Sequence, residues 1–106
     1  MKENNAIIHM VFFTLKHAKG SEQEHRFLAD GKATLTSIPQ VRNFQVSRQV
    51  SSKCDYDFGF SMRFEDAAAY AAYNAHEKHV AFVQNRWVKE VDRFQEIDLE
   101  DWSEQK

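Results

Sequence analysis

The chain has few of the residues that staple or punctuate a fold: one cysteine, one proline and three glycines among 106 residues. A lone Cys54 excludes an internal disulfide and any Cys-x-x-Cys site, and a reducing cytoplasmic compartment is the simplest expectation. No Pro- or Gly-rich linker, repeat or low-complexity tract interrupts the chain, so a single domain over residues 1–106 is expected. No apolar run approaches the roughly 20 residues of a membrane span. The start, Met1-Lys2-Glu3-Asn4-Asn5, lacks the cationic region and small-residue cleavage site of a signal peptide. Neither sign of charge dominates: 14 Lys and Arg stand against 16 Asp and Glu, for a net charge of −2. Such a balance leaves no global electrostatic footprint for nucleic acid or a membrane surface, and neither is expected as a partner. Glycine-rich nucleotide-binding loops and the GxSxG elbow are also missing, so no cofactor is expected.

Aromatics, by contrast, are plentiful: nine Phe, three Tyr and two Trp. Aromatic side chains dominate cores and interfaces, and a chain this short buries only a modest share of its surface. The surplus therefore points either to a Phe-rich core alone or to an additional interface or ligand pocket.

Hydrophobic periodicity divides the chain into six elements. Ala6 to Lys16 is too short for a typical helix, is rich in β-branched and aromatic residues, and is apolar on both faces, which marks a strand covered on both sides. Ser21-x-x-Glu24 is a capping box. It opens a helix with Phe27, Leu28, Gly31, Leu35 and Ile38 at helical spacing, stopped before Pro39. Gly31 in its middle costs about 1 kcal/mol relative to Ala, so it suggests a close backbone approach or room left beside the sheet. Val41–Val50 and Tyr56–Phe64 alternate strictly and, joined by a short polar loop, read as an antiparallel hairpin. Glu65 to Tyr73 is alanine-rich and helical. Asn74-x-x-Glu77 predicts a kink and restart, followed by a stripe of His76, Val80, Val83, Trp87 and Val91 with Phe82 on the opposite side. Arg93–Glu100 alternates apolar residues with acids as a last strand.

The order β-α-β-β-α-β is the ferredoxin-like α+β arrangement, an antiparallel sheet with both helices on one face. The other face needs a cover, and a second copy of the chain in a two-fold homodimer supplies it economically.

The chemistry-bearing residues cluster in Tyr73-x-x-His76-x-x-His79-x-x-Phe82. An imidazole titrates near pH ~6.5 and serves as acid or base, and a nearby tyrosine hydroxyl can hold an oxyanion. His9 faces the same space if its strand passes under the second helix. Phe27, Leu28, Phe58, Phe60 and Trp87 would line a pocket suited to a small apolar or aromatic ligand. The bland alternative is that His9 and His76 are hydrogen-bonded core groups. His79, at the stripe edge, is better placed for a solvent-reaching role. His76 and His79 are spaced i, i+3, unlike HExxH, and no third ligand is fixed by spacing, so no metal site is expected.

At these residues the sequence resembles the stress-responsive A/B barrel (Dabb) family. The likeness runs through Ile8-His9-Met10-Val11, Ile38-Pro39-x-Val41, Tyr56-Asp57-Phe58, Phe64-Glu65-Asp66 and above all the Tyr73/His76/His79/Phe82 pattern. The resemblance implies a homodimeric α/β barrel. One member is a plant polyketide cyclase, whose Tyr/His pair resembles Tyr73 and His79, with a first-strand histidine at His9. The chain departs from that cyclase at Phe58 and at about Gly31. It also carries Glu77 where many members have a proline. The resulting expectation is a cofactor-free pocket protein with His79 and Tyr73 as catalytic pair. If it is an enzyme, it is cyclase- or lyase-like. His9, Phe27, Phe58, Phe60, His76 and Trp87 are expected to bind the ligand. The alternative is a non-catalytic structural or stress-protective dimer.

Overall fold

A computed structural model describes residues 5–102. Four strands, β1 (Ile7–Leu15), β2 (Arg42–Arg48), β3 (Phe58–Phe64) and β4 (Val91–Glu100), form one antiparallel sheet in the order β2-β3-β1-β4. Helix α1 (Glu22–Thr36) joins β1 to β2. Between β3 and β4 the chain forms α2 (Ala67–Ala75), α3 (Glu77–Phe82), one π-helical turn (Val83–Trp87) and a short α4 (Val88–Glu90). This is the ferredoxin-like α+β fold that the periodicity predicts.

Local chemistry explains the boundaries. The Glu24 N–H donates to Ser21 Oγ at 3.2 Å, and Glu24 Oε1 accepts from the Gly20 N–H at 3.0 Å, a capping box whose return bond lands one residue early. Asp66 caps α2 by accepting from the Ala69 N–H at 2.8 Å. The hairpin strand β2 is shorter than its alternation suggests. Val50 lies outside it, and Asn43 at φ 53° marks the register shift between Arg42 and Gln45. Asn is among the few residues that accept such a backbone readily.

Pairing of β1 with β3 sets His9 beside Met62, Val11 beside Phe60 and Phe13 beside Phe58. Pairing with β4 sets His9 beside Asp98 and Val11 beside Glu96. These residues all face the helices. Phe13, Phe27 and Phe60 form the centre of the core with Phe82 and Trp87: Phe13 lies 4.8 Å from Phe60 and 5.0 Å from Trp87, and Phe27 lies 5.6 Å from Phe82. Burial of each such ring stabilises the fold by roughly 1.5–3 kcal/mol. Gly31 lies where α1 comes closest to this cluster. A Cβ there would stand 2.9 Å from the Phe60 ring and 3.3 Å from the Phe82 ring.

Two expectations for the second helix are corrected. The restart comes where expected, but its cap is His76, not Asn74: His76 is extended (φ −66°, ψ 138°), and its Nδ1 accepts from the Lys78 N–H at 3.1 Å. Phe82 faces the core and is buried, whereas Val80 is exposed. The break at His76 resets the helical phase, and the π turn then shifts it again, so a stripe drawn through His76 and Val80 lies on the wrong side.

The opposite sheet face carries Ile8, Met10 and Phe12 of β1, all half-buried, beside Ile97 and Leu99 of β4, which are 36% and 43% exposed. Phe12 lies over Gly59, where a Cβ would come within 3.2 Å of its ring. No helix of the described residues is long and apolar enough to cross a membrane.

Candidate functional site

A cavity of about 230 Å³ lies between the helix-facing side of the sheet and the α2–α3 segment. Its sheet wall is His9, Val11, Phe60, Met62, Phe94 and Glu96, and its helix wall includes Tyr73, Asn74, His79, Phe82 and Trp87. The sheet supplies its residues by alternation along β1, β3 and β4. The helical wall depends on the break at His76, which lets Tyr73 at the end of α2 and His79 within α3 approach each other. Their ring centroids are 4.4 Å apart.

The hydrogen bonds assign the nitrogen roles. His79 Nδ1 lies 3.1 Å from the Asn74 carbonyl oxygen. That oxygen can only accept, so Nδ1 carries the proton and Nε2 keeps the lone pair. His9 is set in the same way. Its Nδ1 lies 2.6 Å from Asp98 Oδ1, and Tyr70 donates its hydroxyl to Asp98 Oδ2 at 2.9 Å. The Tyr70 oxygen is also 3.1 Å from His9 Nδ1, closing a compact Tyr70–Asp98–His9 group. The ring of Tyr73 lies 6.3 Å from that of His9, and its hydroxyl has no side-chain partner among the described residues.

The electrostatics follow from burial. Desolvation lowers the His79 pKa below its ordinary 6.5, and His9 adds to this, while the Asn74 carbonyl and Glu96 oppose it. His79 is therefore a neutral imidazole at pH 7. Tyr73 is pushed well above the usual phenol value, first by burial and then by Tyr70 and Glu96. Tyr70 rises to about 12 through burial and its contact with Asp98. Both hydroxyls thus stay protonated; that of Tyr70 is given to Asp98, and that of Tyr73 is left to donate. Chemically, the arrangement offers an unprotonated imidazole nitrogen next to a buried phenol, on an aromatic floor.

The residues expected from the sequence divide into two groups. His9, Phe60, Tyr73, His79 and Trp87 meet at the cavity. Phe27 and Phe58 are core residues away from its wall, and His76 is occupied as the cap of α3. Four residues that sequence reasoning passed over are Tyr70, Glu96, Asp98 and Phe94. A signal for the acids exists, because Phe94, Glu96 and Asp98 alternate along β4 and share one face. Only the β1–β4 register places Asp98 beside His9. Among the described residues, no three His, Cys, Asp or Glu side chains group as metal ligands would.

A ferredoxin-like sheet with its helices on one face and a histidine–tyrosine cavity beneath them defines the class of protein. A family model described as the stress responsive A/B barrel domain matches residues 7–101, and the chain belongs to this Dabb family. Similar structures agree. A Dabb family protein with a ferredoxin-like fold from Mesorhizobium loti is 54% identical, with a TM-score of 0.92 over 93% of this chain and 99% of that one. A dimeric ferredoxin-like protein of unknown function from Thermobifida fusca is 15% identical, with a TM-score of 0.77 over 94% of each chain. A hydroxynitrile lyase from Passiflora edulis is 10% identical, with a TM-score of 0.78 over 93% of this chain and 95% of that one. These last two share the fold alone. No curated protein matches the chain in sequence.

Proposed function

We infer that the protein is a homodimer that binds a small apolar or aromatic molecule between sheet and helices and uses cofactor-free acid/base chemistry there. The observation that carries this reading is the meeting of Tyr73 and His79 on the wall of one cavity. His79 Nε2 would take a proton from the bound molecule, and the Tyr73 hydroxyl would donate a hydrogen bond to the oxygen that gains charge. The volume, about 230 Å³, falls below the roughly 300–1,000 Å³ of sites for larger ligands and suits one ring with a few substituents.

Dimerisation is supported by the apolar strip of Ile8, Met10, Phe12, Ile97 and Leu99 on the helix-free sheet face. The description of the similar Thermobifida protein as dimeric points the same way. A second reading, a non-catalytic dimer, is favoured by one contact: the His79 bond to the Asn74 carbonyl ties the α2–α3 junction and needs no ligand. Thermal-shift screening of single-ring compounds separates the two. Under the pocket reading a hydroxyl-bearing compound raises the melting point of the parent more than that of His79→Ala or Tyr73→Phe. Under the structural reading both variants melt below the parent and no compound distinguishes them.

A further inference from the structure

The charges around the cavity select among ligands as well as admitting them. Among the described residues no Lys or Arg lines the wall, and Glu96 places a carboxylate on it. A second carboxylate, Asp98, stands behind His9 at 2.6 Å. A carboxylate or phosphate entering this space would lose its hydration and meet two acids with no Lys or Arg among the described residues to pair with, which is a heavily penalised arrangement. The wall also carries polar groups that a neutral ligand can meet. His79 presents a lone pair at Nε2 because its Nδ1 is held by the Asn74 carbonyl. Glu96 adds only acceptors. Tyr73 adds a hydroxyl, and the Asn74 amide and the Trp87 indole N–H add neutral donors. The apolar remainder, Val11, Phe60, Met62 and Phe82 among it, offers no polar partner.

We propose that this cavity takes a neutral, hydroxyl-bearing molecule of single-ring size, with the hydroxyl donating to His79 Nε2, and that it rejects anions of the same shape. This deepens the pocket reading and rests on it. The side chains of the wall report the same preference. Burial together with Glu96 keeps the Tyr73 phenol from ionising, in line with the exclusion of anions by the carboxylates of the wall. A hydroxyl that donates to the imidazole and accepts from Tyr73 satisfies both without carrying charge.

The test uses three compounds of nearly one shape: toluene, benzyl alcohol and benzoate. Their affinities for the full-length protein are measured by ligand-observed NMR titration at pH 7.5. Benzyl alcohol is expected to bind best. Toluene should be weaker by roughly threefold to tenfold, the worth of a net hydrogen bond. Benzoate should be weaker than the alcohol by at least about tenfold. In His79→Ala the advantage of the alcohol over toluene should vanish while toluene itself still binds. Benzoate binding as tightly as the alcohol overturns the proposal and leaves the cavity reading in place. An alcohol advantage that survives in His79→Ala also overturns it. If none of the three binds, toluene included, the cavity reading itself falls with it.

Discussion

At the residue scale, the chain contains histidines with different duties, and substitution should separate them. His79 spends only Nδ1 on the fold, in a bond to the Asn74 carbonyl at a helix junction. His79→Ala should therefore cost about 1 kcal/mol in urea unfolding, the net value of one hydrogen bond. Phe13→Ala, at a fully buried ring in van der Waals contact with Phe60 and Trp87, should cost about 3–5 kcal/mol. A loss at His79 as large as that at Phe13 would mean that the imidazole is a core group and not a site group. Its titration has a definite sign. The folded pKa lies below the unfolded value near 6.5, so above that value neither state is charged and no penalty exists. As the pH falls below about 6.5 the unfolded chain takes a proton that the folded chain refuses, and stability drops until the folded value is passed. The decline between pH 7.5 and 5.5 should be shallower in His79→Ala than in the parent. Asp98 acts through His9. Asp98→Asn removes the carboxylate that demands a proton on Nδ1, so imidazole ¹⁵N shifts should move from the Nδ1–H toward the Nε2–H tautomer. Unchanged shifts would show that the carboxylate does not set the ring.

At the element scale, α1 and the broken second helix shape the cavity from outside it. Gly31→Ala pits two effects against each other. Helix propensity improves by up to about 1 kcal/mol, while the new methyl meets the buried Phe60 ring at 2.9 Å, so that the ring must shift. Overpacking typically costs about 1–3 kcal/mol, so the variant should be less stable on balance. Phe60 and Phe82 both line the cavity, so displacement away from α1 should also shrink it and weaken single-ring compounds. A variant that is more stable and binds unchanged would count against this packing. The C-terminal end of the second helix is tied differently. Arg86 in the π turn pairs with Asp30 of α1 at 2.8 Å and with Glu90, which also meets His17 after β1 at 2.8 Å. Although burial pushes the Glu90 carboxyl up, Arg86 and His17 hold it below the usual range. Being partly exposed, the network should contribute only on the order of 1 kcal/mol, as Arg86→Leu in urea would measure.

At the scale of the whole molecule, the decisive feature is the asymmetry of the sheet. One face is covered by helices, and the other presents Ile8, Met10, Phe12, Ile97 and Leu99. Covering that strip with a second copy removes the apolar surface from water. Met10→Asp should yield monomers or insoluble protein, read by size-exclusion chromatography with light scattering. A stable monomer for the unmodified chain would sink the dimer.

Periodicity alone determined a great deal. The alternation of β1 through β4, the Ser21/Glu24 box and the helical spacing from Phe27 to Leu35 are local patterns, and local geometry obeys them directly. The spacing of Tyr73 and His79 was legible for the same reason, since both lie on one short stretch of chain. Tertiary structure decided what depends on phase and register. The inward turn of Phe82 follows from a break at His76 and a π turn, neither of which leaves a regular period. The union of His9 with Asp98, 89 residues apart, follows from strand pairing that no local pattern encodes. Gly31 lets the Phe60 and Phe82 rings of the cavity wall sit close to α1, a packing outcome that one glycine could only hint at.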